Sequence, residues 1–83
     1  MIEKETAIRM VQNELGGDYK AVVCKENKNM WFIEFMPKDW RKGLLCDGGV
    51  IFAVNKETAD MRQLLIPEEL GLIKKAKTVE KFY

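Results

Sequence analysis

The stretch GGVIFAVNKETADMRQLL, residues 48–65, decides the fold. Val50, Ile51, Phe52, Ala53 and Val54 form an apolar run rich in β-branched and aromatic side chains. Asn55-Lys56-Glu57-Thr58 is a polar connection too short for a helix, and Met61 to Ile66 resumes an apolar pattern. The stretch reads as strand, turn, strand, and a central hairpin gives the other segments something to pair with and pack on.

Upstream of it the period is again two. Tyr19 to Glu26 has the composition of a first strand, and Asn27-Lys28-Asn29 is a polar turn of hairpin length. Met30 to Met36 reads as a second strand. Its alternation places Trp31, Ile33 and Phe35 on one face and Met30, Phe32, Glu34 and Met36 on the other. Pro37 closes that strand, and residues 38–43 form a charged connection around Trp40. Leu44-Leu45-Cys46 is the expected opening of the third strand, bent by Asp47-Gly48-Gly49 before the run resumes at Val50.

The first fifteen residues have the helical period instead. Ala7, Met10, Val11 and Leu15 fall on one face, and Lys4, Arg9, Gln12 and Asn13 fall mostly on the other. Gly16-Gly17 stops the helix, because glycine tolerates the left-handed conformation that closes a C-terminus. The helix is expected to seat on the Trp31, Ile33, Phe35 side of the sheet, with Phe52 on that side too. At the other end, Pro67-Glu68-Glu69 resembles a helix start, Gly71 interrupts it, and the apolar residues up to Phe82 fall on no single face. A short helix and a helical or tail-like segment are expected there. Lys74, Lys75, Lys77 and Lys81 read as a solvated cluster.

These elements predict one α+β domain over residues 1–83. An N-terminal helix packs on a four-stranded antiparallel meander as a two-layer sandwich, followed by a short C-terminal helix. The chain has 83 residues, so it holds one core and leaves a large share of its surface in water. With 14 basic and 13 acidic residues the net charge is +1, which supplies no field for nucleic acid or an anionic bilayer. No apolar run approaches the ~18 residues of a membrane span. Two cysteines without histidine make neither a disulfide scaffold nor a zinc cage. Cys24 and Cys46 are expected to be reduced, buried thiols in a cytoplasmic protein.

The N-terminal helix, the Met30-Trp31-Phe32-Ile33-Glu34-Phe35 strand, and Asp47-Gly48-Gly49 leading into residues 50–59 together resemble a known group. They are similar to the small cystatin-like immunity proteins of bacterial polymorphic toxin systems, labelled immunity protein family thirty-five. That family carries an aromatic second strand and a glycine-bearing approach to a strand that ends in valine. An acidic or amide residue, a charged pair and a threonine-glycine turn follow. Here Ala59 stands at the turn glycine. The same strand-turn-strand wording occurs in peptidase-propeptide-like domains of the PepSY type. The resemblance implies a protein that binds and neutralises a toxin.

No constellation of residues carries recognisable catalytic chemistry. A histidine base is absent, and neither cysteine has the imidazole that usually activates a thiol. Asp47-Gly48-Gly49 lacks the further glycine of a dinucleotide fingerprint and the ending of a phosphate loop. Asp39, Asp47 and Asp60 are too scattered for a calcium loop. No catalytic residue, cofactor or metal site is expected. The expected function is a non-enzymatic protein-binding module, with a PepSY-like or self-associating small domain as the alternative and a ligand-binding or enzymatic domain behind both. Met30, Phe32, Glu34 and Met36, on the face opposite the helix, and Trp40 in the following loop are the candidate partner-binding residues. The competing expectation is that residues 67–83 fold back over that face with Leu72, Ile73 and Phe82.

Overall fold

The computed structural model describes residues 1–41 and 49–83. Helix α1 (Lys4–Leu15) buries Ala7 and Val11, one turn apart on one face, with Ile8, Met10 and Leu15 packed beside them. Its C-terminus closes as the glycine pair implies. Gly16 takes φ 83° and donates its N–H to Gln12 O at 2.8 Å. The Gln12 side chain donates to Gly16 O and to Tyr19 O at 2.7 and 2.8 Å, fastening the helix end to the first strand.

Strands β1 (Tyr19–Glu26), β2 (Met30–Pro37), β3 (Val50–Asn55) and β4 (Met61–Gln63) follow as an antiparallel meander. Both turns whose residues are described are built on an asparagine. Asn27 Oδ1 accepts the N–H groups of Asn29 and Met30, and Asn55 Oδ1 accepts those of Glu57 and Thr58. The expected strand opening at Leu44-Leu45-Cys46, and Asp47-Gly48 of the bend, lie outside the described residues.

Register explains which side chains share a face. Cys24, Ile33 and Phe52 form one row across β1, β2 and β3. That row, with Phe35, Val54, Ala7 and Val11, is the core beneath α1. Trp31 lies at its margin, packed on the cluster while its Nε1 donates to Ile2 O at 3.2 Å. Lys56, from the polar turn, is only 7% exposed. Its ammonium lies 4.4 Å from the Trp31 ring centroid and donates to Glu26 Oε1 at 2.7 Å and Asn27 O at 2.9 Å. The buried cation is thus paired and hydrogen-bonded, the condition under which such burial is tolerated.

Among the described residues the sheet has five strands where four were expected. After a short helix α2 (Leu70–Lys75), the chain forms β5 (Lys77–Lys81), which pairs antiparallel with β1. The order is β4-β3-β2-β1-β5. The segment between β4 and β5 must therefore pass from one edge of the sheet to the other, roughly 19 Å at ~4.8 Å per strand. It crosses the face opposite α1 and lays α2 there. Lys4 of α1 pairs with Glu80 of β5, so the first and last elements are linked directly. That hydrogen bond holds the Lys4 pKa above its ordinary value.

Candidate functional site

Two rows of side chains make up the centre of the face opposite α1. One is Val23, Glu34 and Ile51; the next is Lys25, Phe32 and Ala53. A bulge at Val22 between the Ala21 and Val23 pairings changes the register within β1, and Val22 and Val23 pack together with Met36. Phe32 is 2% exposed beneath Ile73 of α2 and Leu64, with Met30 and Ile51 against the same cluster. The crossing segment thus covers this face in part. Ile73 makes the contact, as one of the two expectations held, while Leu72 and Phe82 are exposed.

The five candidate residues have different environments on this face. Phe32 and Met36 are buried, and Met30, Glu34 and Trp40 are half-buried. Trp40 packs on Val22, Val23 and Met36, accepts a 2.6 Å hydrogen bond at its carbonyl from Lys20 Nζ, and meets Tyr83 edge-on at 5.4 Å. It plugs the end of the face near the C-terminus.

Glu34 occupies the middle of the central strand. Its cross-strand neighbours are Val23 and Ile51, and Phe32 and Met36 flank it two positions away on β2. A carboxylate therefore sits among four apolar side chains. Among the described residues its side chain makes no hydrogen bond or ion pair. It also separates two depressions. One, of about 160 Å³, is lined by Val23, Phe32 and Ile51 of the sheet, Leu70 and Ile73 of α2, and the charged pair Lys25 and Glu34. The other, of about 370 Å³, lies toward β4 between Glu34, Met36, Gly49, Ile51, Leu64 and Ile66. Leu65 and Ile66 are exposed at 64% and 47%, so the apolar surface continues onto the crossing segment.

Sequence reasoning placed Glu34 here with Phe32 and Met36, and named Ile73 as a residue that would cover the face. It missed Val23, Lys25, Ile51 and Leu70, which enter through strand register and the crossing, neither of which shows in a local pattern. No family model matches the chain, and neither does any curated protein or solved structure.

The remaining chemistry is sparse. Cys24 is fully buried in the core under α1, and burial pushes its thiol up to about 11, so at neutral pH it is no nucleophile. Cys46 lies outside the described residues. Among the described residues no group of three or more Cys, Asp and Glu side chains is placed to hold a metal ion. Among the described residues no helix is long and apolar enough to cross a membrane. On the crossing segment, Arg62 holds Glu69 in a two-pronged ion pair at 2.9 and 2.6 Å, and Glu69 Oε1 also accepts the Leu65 N–H at 2.9 Å. These bonds hold the Glu69 carboxyl down at about 2. Glu69 caps nothing with its side chain; it clamps the approach to α2 onto β4.

Proposed function

We propose that this protein is a non-enzymatic binding module that engages another protein through the sheet face opposite α1, centred on Glu34. The observation that carries the reading is that carboxylate: half-buried, in the central strand, ringed by Val23, Phe32, Met36 and Ile51, and without a side-chain partner among the described residues. Leaving a partly desolvated charge unpaired costs stability, and a partner that supplies a donor recovers it. The surrounding depressions and the exposed Leu65 and Ile66 provide the apolar area that protein interfaces use. In its most concrete form, following the resemblance of residues 30–35 and 47–59 to immunity proteins, the partner is a bacterial toxin that this chain neutralises.

Co-expression with the product of the neighbouring reading frame tests this. The expected result is growth arrest by that product alone, rescue by this chain, and loss of rescue in Glu34→Lys at unchanged thermal stability. Rescue that survives Glu34→Lys overturns the role of this face, and a neighbouring product without toxicity overturns the immunity form of the reading. Self-association as the function would appear as a dimer in sedimentation that Glu34→Lys dissociates.

A further inference from the structure

The smaller depression on this face has a size that restricts what can fill it. Substrate and cofactor pockets run to about 300–1,000 Å³, whereas an engineered apolar cavity of about 150 Å³ holds one benzene. At about 160 Å³, the space between α2 and the sheet accommodates one ring or one branched aliphatic group. Its apolar walls come from both layers, Val23, Phe32 and Ile51 below and Leu70 and Ile73 above.

Its two charged residues add direction. Lys25 lies opposite Phe32, and Glu34 lies opposite Val23, so the two are diagonal neighbours on β1 and β2. Diagonal positions in an antiparallel pair are about 7–8 Å apart, within reach of a long side chain. Lys25 and Glu34 nevertheless form no ion pair, and neither side chain bonds to any other described residue. One apolar cavity is thus flanked by one cation and one anion, each unpaired among the described residues. A single-sign polymer such as nucleic acid gains nothing from that arrangement.

Resting on the reading that this face binds protein, we propose that the cavity receives a single leucine- or phenylalanine-sized side chain of the partner polypeptide. The segment carrying it bears a basic residue on one side, paired with Glu34, and an acidic residue on the other, paired with Lys25. The apolar anchor supplies affinity in a desolvated pocket, and the two charges fix the direction in which the segment lies.

End-blocked five-residue peptides test this on the full chain by methyl NMR of Val23, Ile51 and Ile73. The probes are lysine-serine-leucine-serine-glutamate, its reverse, a version with glutamine at both ends, and one with alanine for leucine. One of the two charged orders is expected to bind about ten-fold more tightly than its reverse and than both controls, a difference of about 1.4 kcal/mol. The preferred order is expected to invert in the double variant Lys25→Glu, Glu34→Lys. Should that variant not fold, Lys25→Gln and Glu34→Gln are each expected to shrink the preference. No methyl shift at millimolar peptide, or equal binding of both orders and the glutamine peptide, overturns the proposal. Such a failure beside loss of rescue in Glu34→Lys leaves the face as an interface and removes only the partner chemistry; rescue that persists removes the face itself.

Discussion

Ala59 adopts φ 65°, the left-handed region, where its Cβ crowds the backbone. It closes the β3–β4 turn by donating its N–H to Asn55 O at 2.9 Å, and the position is the one where the resembled family carries glycine. Replacing it with glycine removes a steric cost of ~1–2 kcal/mol and adds unfolded-state entropy worth ~0.4–1 kcal/mol. Ala59→Gly is therefore expected to stabilise the protein by about 0.5–1 kcal/mol, read as a rise in the urea midpoint at unchanged slope. The resemblance alone implied a glycine at this position; the strain was not legible, because a backbone angle leaves no trace in an alanine. Lys56 shows the same limit. In a polar turn it reads as solvated, and only the fold brings Glu26, Asn27 and Trp31 around it.

At the scale of elements, the local pattern found α1 and the first four strands: α1 by its one buried stripe, β2 by its alternation, and β3 by an apolar run that is buried on both faces. It did not find β5. Lys77, Thr78, Val79 and Lys81 are exposed, and an edge strand held by backbone pairing to β1 needs no buried stripe. The β-branched pair Thr78-Val79 was the available signal, outweighed by the lysines around it. α2 is similar: six residues containing Gly71 have little intrinsic helicity, and it rests on burial of Ile73 and on the Arg62–Glu69 clamp behind it. The clamp has a pH signature. Glu69 titrates at about 2 in the folded protein against an ordinary 4.5, so its contribution is fully present above about pH 4.5 and is lost as pH falls toward 2. Glu69→Gln is expected to lower stability at neutral pH and to converge with the parent near pH 2. A parent and variant separated by the same amount from pH 7 to 2 would exclude the clamp.

Across the whole molecule, two layers of unequal strength hold one sheet. On the α1 side, Phe35, Ile33, Val11 and Val54 are essentially inaccessible to solvent. Phe35→Ala is expected to cost about 3–5 kcal/mol, a large part of the ~5–15 kcal/mol of a typical domain, and to show as loss of cooperative unfolding near ambient temperature. The α2 side is thinner: a helix of six residues anchored by Ile73, Leu64 beside it on the crossing segment, and a cavity of about 160 Å³ left beneath. Regions with few buried apolar contacts open at lower free energy than the global transition. Native-state hydrogen exchange is therefore expected to divide the chain. Amides of α2 and of the outer edge of β5 exchange through openings insensitive to low denaturant. Those of Ile33 and Phe35 in β2 exchange only through global unfolding. Filling the cavity with Val23→Ile is expected to slow the α2 amides while leaving the β2 amides nearly unchanged. Uniform protection across α2, β5 and β2 would show that the two layers form a single cooperative unit.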